Sequence, residues 1–485
     1  MEDSTLKNKA INGFQWGLID NLANSGITFV IGLVLANLLS PEEFGILAIV
    51  VIFVNLSASI IDGGFARALI RKVEADDKDY NTVFYSNLAT SLALMCLFIV
   101  CAPWVASFFH QPILAEIMPV MSVILLFNAG QMIHKTLLIK ALDFRSQAIA
   151  SFIASVCSGI VGIAMAIVGF GIWSLVCQQM SRQFLLLLCL WILNKWRPRR
   201  IFSKACFKDL FGFSIKLLIA DLINSIYKDI FFVVIGKFYS AKDLGYYNRS
   251  DQFNLIFSNS LSMVIQKVTL PVLSQFQDDL EKFRHVFRKF TIYSAMITFP
   301  LVFFLAAAAE PVIILLVGEK WRPSVEYLQI MSLYGAIYPL QVLNINILNV
   351  LKRSDYILKL EIIKKCVFLP VIIIGIFTSL KAMIWAAVVY YHIEFFMNGW
   401  YSKRMIGYST LQQVWDLKFV YLVSMVISLI VWTVTLLPLS YWVMLLLQII
   451  ISCLLYIIVN SVFKYQEYFE LKDICVKQIR NIVAR

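Results

Sequence analysis

The sequence predicts an all-α polytopic membrane protein of about fourteen transmembrane helices: two six-helix lobes plus two C-terminal helices. Three observations carry that prediction. The 485 residues are 60% hydrophobic and 15% charged, against roughly 45–50% and about 25% in soluble domains. Apolar runs long enough to cross a bilayer follow one another with short breaks from residue 13 to residue 463. The first of these runs has a second copy later in the chain. Such a chain packs its helices side by side in lipid rather than around one water-excluding core.

A spanning helix needs about 20 apolar residues. The runs fall at roughly 13–39, 43–66, 82–107, 114–138, 145–169, 171–194, 210–238, 247–271, 287–317, 324–350, 356–378, 380–402, 416–438 and 440–463. Runs one, seven and nine exceed the bilayer and are expected to tilt, kink or protrude. Pro300 and Pro311 in run nine and Pro370 in run eleven each remove a backbone donor and invite a kink. Gly159 and Gly162 in run five permit a close helix approach. The polar start, MEDSTLKNKA, leads into a run too long for a signal-peptide core, so the first segment is expected to remain as a helix.

Residues 13–45, GFQWGLIDNLANSGITFVIGLVLANLLSPEEFG, recur as residues 212–245, GFSIKLLIADLINSIYKDIFFVVIGKFYSAKDLG. One shift places Asn24 and Ser25 on Asn224 and Ser225, Ser40 on Ser240, and Gly45 on Gly245; Asp20 meets Asp221 with a one-residue gap. Each copy ends in Ser-x-acid-or-base-x-x-Gly. The shift spans six helices, an even number, so both copies share one orientation and a pseudo-two-fold along the membrane normal relates them. The expected division is an N-lobe at 1–194, a basic cytoplasmic linker at 195–209, a C-lobe at 210–402, two further helices at 403–463 and a cytoplasmic tail at 464–485.

Orientation follows from Lys and Arg. With the N-terminus inside, the outside segments hold only Lys237, Lys242, Arg249, Lys320, Arg322 and Lys381, and the inside segments hold most of the rest, Lys135 among them. Both termini and the linker KWRPRRIFSKACFK are expected in the cytoplasm, the linker against anionic lipid. This topology accounts for the net charge of +12 without nucleic acid.

No enzyme constellation is present: no G-x-S-x-G, no H-E-x-x-H, no P-loop. The four His are far apart, and the nine Cys mostly sit inside apolar runs with no C-x-x-C pair, so neither a metal site, a cofactor nor a disulfide framework is expected. Ionisable groups inside the spans stand out, because each is costly in lipid. Asp221 and Lys228 in run seven share a helix face with Asn224 between them, and Asp20 and Asn24 share a face in run one. Arg182, Glu361, Lys364, Lys365, Glu394 and Asp62 complete the set. Their structural explanation is an intrahelical Asp221–Lys228 bridge or lysines snorkelling to the interface; their functional one is a polar cavity between the lobes. Positive charge there, from Arg182, Lys216 and Lys228, favours an anion, phosphate above all. Asp20 and Asp221 would hold the bases when cargo is absent, or take up a coupling proton. Tyr227, Phe231, Tyr246 and Tyr247 could stack on sugar rings or face lipid.

Several stretches resemble the polysaccharide-transporter branch of the multidrug/oligosaccharidyl-lipid/polysaccharide exporter superfamily. They are SPEEFGILAIV, SAKDLGYYNRSDQF, DGGFARALIRK, QKVTLPVLSQFQDDLEKFRHVFRKF and PVIILLVGEKWRPSVEYLQIM. The resemblance covers nearly the whole chain. It implies a flippase of the bacterial inner membrane that moves an undecaprenyl-diphosphate-linked oligosaccharide repeat unit by alternating access, for lipopolysaccharide O-antigen, capsule or exopolysaccharide. Other polysaccharide-assembly membrane proteins are possible partners. It implies a cationic central cavity, to which Arg67 and the repeat-equivalent Lys267 would contribute. Two other functions fit the composition: a drug/cation antiporter of the same superfamily, and a membrane-embedded polymerase or ligase of sugar chains. The C-terminal helix pair and basic lobes speak against the first, and the short external loops against the second.

Overall fold

The computed structural model describes the backbone of residues 2–72 and 74–483. Side chains are described over the same stretches except at 2–15, 18, 19, 21, 22, 213, 216, 354, 474, 475 and 478–483. Two compact units divide the chain. The first, Met1–Gly245, holds α1 (Glu2–Leu38), α2 (Pro41–Asp62), α3 (Phe65–Arg71), α4 (Asp77–Phe109), α5 (Leu114–Lys140), α6 (Phe144–Val168), α7 (Ile172–Leu193), α8 (Lys204–Phe238) and the start of α9 (Ala241–Ser274). The second, Tyr246–Arg485, holds the rest of α9 and α10 (Leu280–Ala307), α11 (Ala309–Val317), α12 (Pro323–Gly335), α13 (Tyr338–Val350) and α14 (Ser354–Phe377). It continues with α15 (Leu380–Ile406), α16 (Thr410–Thr433), α17 (Tyr441–Val462) and α18 (Gln466–Val483).

Among the described residues ten helical stretches are long and apolar enough to cross a bilayer, so the chain is a multi-pass membrane protein. They coincide with runs two to six, eight, nine and twelve to fourteen. The other four runs are also helical but differ in kind. α1 contributes the shorter apolar stretch Ala23–Leu38. α8 and α14 are interrupted by ionisable residues, Asp221, Lys228 and Asp229 in one and Glu361, Lys364 and Lys365 in the other. Run ten is two short helices, α12 and α13. Large apolar side chains cover the outside, as with Ile192 at 77% and Phe377 at 80% exposure. Water would not tolerate so continuous an apolar surface, and lipid does.

Proline explains the breaks. Run nine parts at Ala308, between α10 and α11. Pro311 would press its ring on the carbonyl of residue 307, where α10 ends. Pro339, in the first turn of α13, stands four residues after the end of α12 at Gly335 and acts in the same way. Pro300 and Pro370 stay inside continuous helices.

The repeat is visible in local geometry. Ser40 caps α2: its Oγ accepts from the Glu43 N–H while its own N–H donates to Glu43 Oε2 at 2.6 Å. Ser240 and Asp243 repeat this box at the start of α9, where Ser240 Oγ donates to Asp243 Oδ2 at 2.6 Å. Two residues past each acid lies Gly45 or Gly245, and the two glycines mark where α2 and the first turn of α9 cross within the first unit. A Cβ on Gly45 would overlap the Ala241 carbonyl, and one on Gly245 would overlap that of Pro41. Elsewhere in this unit α6 packs between α1 and α7, with Gly159 against Ile31 and Gly162 against Gln178.

The linker is stapled to α4. The Arg199 N–H donates to the Asn81 side chain, the Ser203 N–H donates to Thr82 Oγ1 at 3.1 Å, and Arg199 pairs with Asp77 at 3.2 Å. Lys72 pairs with buried Asp79 at 2.6 Å, and that bond holds the Lys72 ammonium above its ordinary range. The topology is tested by thiol labelling from outside. Cysteines placed near Ser40 and Ser240 should react, and Cys206 should react only in inverted vesicles. Strong external labelling of Cys206 would overturn the orientation.

Candidate functional site

The corner DGGFARALIRK builds the first cluster. Gly63 and Gly64 follow α2 with φ of 53° and 76°, a left-handed pair that other residues enter only at a cost of about 1–2 kcal/mol each. The turn sends the chain into α3 and lets α8 approach, since a Cβ on Gly64 would stand 3.0 Å from Leu217 Cβ. α3 thereby carries Arg67 across to α8, where it forms an ion pair with Asp221. Beside the pair is an open cleft of about 450 Å³ lined by Ala58, Ser59, Asp62, Asp221, Asn224, Ser225 and Lys228. Ser59 and Ser225 face each other at 3.3 Å across α2 and α8. Lys228 is exposed, and Asp229, next in sequence, is buried.

A second cluster lies among α1, α5, α6 and α7. Asn24 Oδ1 accepts from Ser155 Oγ at 2.6 Å and from Arg182 Nη2 at 3.2 Å. Asp20 bonds Ser151 and lies within the field of Lys135, which also feels Arg182. One turn along α5, Gln131 donates to the Gln183 carbonyl at 2.9 Å. Lys135 of α5 thus lies near both Asp20 and Arg182. Its spacing from Gln131, four residues on one helix face, was the available signal.

The third cluster belongs to the second unit. Lys364 on α14 reaches Glu361 at 3.0 Å and Glu394 of α15 at 3.1 Å, with the Lys364 side chain 5% exposed. Near it Tyr334 and Tyr391 stack with ring centres 4.6 Å apart.

The structure thus brings Arg67, Asp221 and Lys228 to one cleft, and places Asp20 and Arg182 in another cluster. Asp221 bonds Arg67, not Lys228, so the intrahelical bridge is not the pairing seen. Lys267 stands half-buried on α9 in the second unit. The Lys216 side chain lies outside the described residues.

Magnitudes separate the clusters by what they can do. The Arg67 and Asp221 side chains are 49% and 37% exposed, and an ion pair this open to solvent is worth about 0–1 kcal/mol. Breaking a buried pair costs about 3–5 kcal/mol, which makes Lys364–Glu394 a fastening. The cleft beside α8 is the place where charge can be exchanged at little cost.

A family model described as a polysaccharide biosynthesis protein matches residues 34–326. The succinoglycan biosynthesis transport protein ExoT of Rhizobium meliloti (strain 1021) is 27% identical over 322 residues, 66% of this chain and 65% of that one. The match therefore spans just under two thirds of that relative's length. The teichuronic acid biosynthesis protein TuaB of Bacillus subtilis (strain 168) is 24% identical over 354 residues, covering 72% of this chain and 73% of its own. The lipopolysaccharide biosynthesis protein WzxC of Escherichia coli (strain K12) is 24% identical over 380 residues, 76% of each chain. Among solved structures, the lipid II flippase MurJ in an inward closed conformation superposes with a TM-score of 0.74 at 15% identity, covering 93% of this chain and 98% of that one. An inward-facing multidrug resistance MATE family transporter gives 0.57 at 14% identity, covering 85% and 98%. At these identities the structural likeness is one of fold.

Proposed function

This chain belongs to the polysaccharide biosynthesis protein family, and we propose that it is a flippase for a lipid-linked oligosaccharide repeat unit. The cargo we infer is an undecaprenyl-diphosphate-linked sugar unit carried from the inner to the outer leaflet of a bacterial cytoplasmic membrane. The observation that carries this reading is the exposed Arg67–Asp221 pair at the open cleft between α2 and α8 that Lys228 also lines. The names of the relatives, in succinoglycan, teichuronic acid and lipopolysaccharide biosynthesis, support the cargo class.

The mechanism follows from the charges. With cargo absent, Asp221 neutralises Arg67, so the cleft costs little to keep inside a membrane protein. A diphosphate entering the cleft competes with the carboxylate. Arg67 can take two phosphate oxygens through its planar fork, and Lys228 adds a point charge on the same side. Asp221, released, is free to take a proton or to receive Arg67 again once cargo has left. Fourteen spans in two repeat-related lobes, with both termini in the cytoplasm, provide the alternating access. Pro300, Pro311 and the Gly169–Gly171 junction are the hinge candidates.

Deletion tests the proposal. Cells without the protein should lose a surface polysaccharide while still assembling its lipid-linked repeat unit, which accumulates on the inner leaflet. Failure to assemble the repeat unit at all would point to an enzyme instead.

A further inference from the structure

The second unit carries a crevice of about 750 Å³ that the transport cycle above does not use. It lies between the starts of α10 and α16, at the stretch QDDLEKFRHVFRKF. Its floor is a closed set of bonds. Arg288 donates from Nε and Nη2 to the two Asp416 oxygens at 2.7 and 2.8 Å, and the Tyr408 hydroxyl donates to Asp416 Oδ2 at 2.6 Å. Asp416 is thereby neutralised. The walls are of two kinds. Arg284 and His285 are exposed on the α10 side, with Glu281 beside them. On the α16 side Leu411 and Trp415 are 72% and 69% exposed, and Lys418 Nζ stands 3.0 Å from the Trp415 ring centre.

Position decides what this lining is for. The Arg288–Asp416 pair ties the N-terminal parts of two spanning helices together, and the crevice lies at that end of both, where a spanning helix is expected to meet the headgroup layer. Both helix dipoles present their positive ends there. Tryptophan and exposed leucine beside arginine are the composition of the headgroup layer, apolar toward the chains and cationic toward the phosphate. A soluble anion would use Arg284 and His285 and leave the apolar wall bare. We propose that this crevice binds the headgroup of an anionic phospholipid, its phosphate between Arg284 and His285 and its acyl chains over Leu411 and Trp415. The lipid would clamp α10 to α16.

The test uses the purified full chain in detergent, titrated with phosphatidylglycerol, phosphatidylcholine or inorganic phosphate. Retained lipid is read by native mass spectrometry, and thermal stability is followed in parallel. Phosphatidylglycerol should be retained and should raise the Tm. R284Q/H285Q should weaken its retention about tenfold, the scale of losing charge-assisted contacts to a phosphate, and leave phosphatidylcholine unaffected. L411S/W415S keeps Arg284 and His285 and should also lose the lipid. Equal retention of phosphatidylglycerol by the parent chain and both variants would overturn the proposal. So would equal stabilisation by phosphatidylcholine, or stabilisation by inorganic phosphate as strong as by the lipid.

Discussion

Gly45→Val should abolish surface polysaccharide while leaving the protein in the membrane. The crossing of α2 with the first turn of α9 has no room for a side chain: a Cβ at Gly45 falls on the Ala241 carbonyl, and one at Gly245 on the Pro41 carbonyl. A side chain in the way could rotate aside, but a helix carbonyl cannot move without its helix. Overpacking where neighbours can relax costs about 1–3 kcal/mol. Here the relief is for the helices to part, so the crossing opens. A cysteine pair at Pro41 and Ala241 reports the approach directly. Crosslinking should be efficient in the parent chain and lost with Gly45→Val, and surface polysaccharide should fall at least tenfold, more than 1.4 kcal/mol of bias against the crossing. Gly26→Ala is the control, because a Cβ there meets nothing within 4 Å. Normal crosslinking and normal polysaccharide in Gly45→Val would show that the crossing is not needed for transport.

The repeat made Gly45 and Gly245 legible, since a repeat is a property of the chain read in line. That the two glycines meet each other was not legible, because a helix crossing is a property of space. The terminal motif was read as Ser-x-acid-or-base-x-x-Gly. The informative acid is one position later, Glu43 or Asp243, because a cap needs its carboxylate three residues after the serine. Pro311 announced its break and Pro339 was passed over, although the same clash four residues back applies to both. Hydropathy placed ten apolar spans well and was least informative where α8 and α14 carry charge, which is where the polar clusters are.

The site divides in the same way. Asp221 and Lys228 could be named from one helix face, and both line one cleft. Arg67 entered only through a family resemblance, and its partner stands 154 residues away, beyond any periodicity. Lys135 counts among the inside charges by sequence, although run four contains it. Hydropathy does not see that Asp20 and Arg182 lie near it.

Neutralising both bases of the cleft, Arg67→Gln with Lys228→Gln, should stop transport and spare the fold. The stability side follows from exposure. A pair as exposed as Arg67–Asp221 contributes about 0–1 kcal/mol, and exposed Lys228 lines an open cleft, so protein level and Tm should stay close to the parent values. The transport side follows from what remains. Without these cations the cleft offers a diphosphate only Asp62 and Asp221, which repel it, and the neutral Asn224, Ser59 and Ser225. Surface polysaccharide should fall more than tenfold, with the lipid-linked unit accumulating inside. Asp221→Asn removes the competitor rather than the receptor, so it should retain transport and bind a diphosphate lipid at least as tightly. Arg67→Lys distinguishes the form of the grip. A bidentate contact predicts partial loss, and a plain charge predicts little. If the double neutral variant inserts normally and exports normally, Arg67 and Lys228 hold no cargo, and the pair with Asp221 serves only to join α3 to α8.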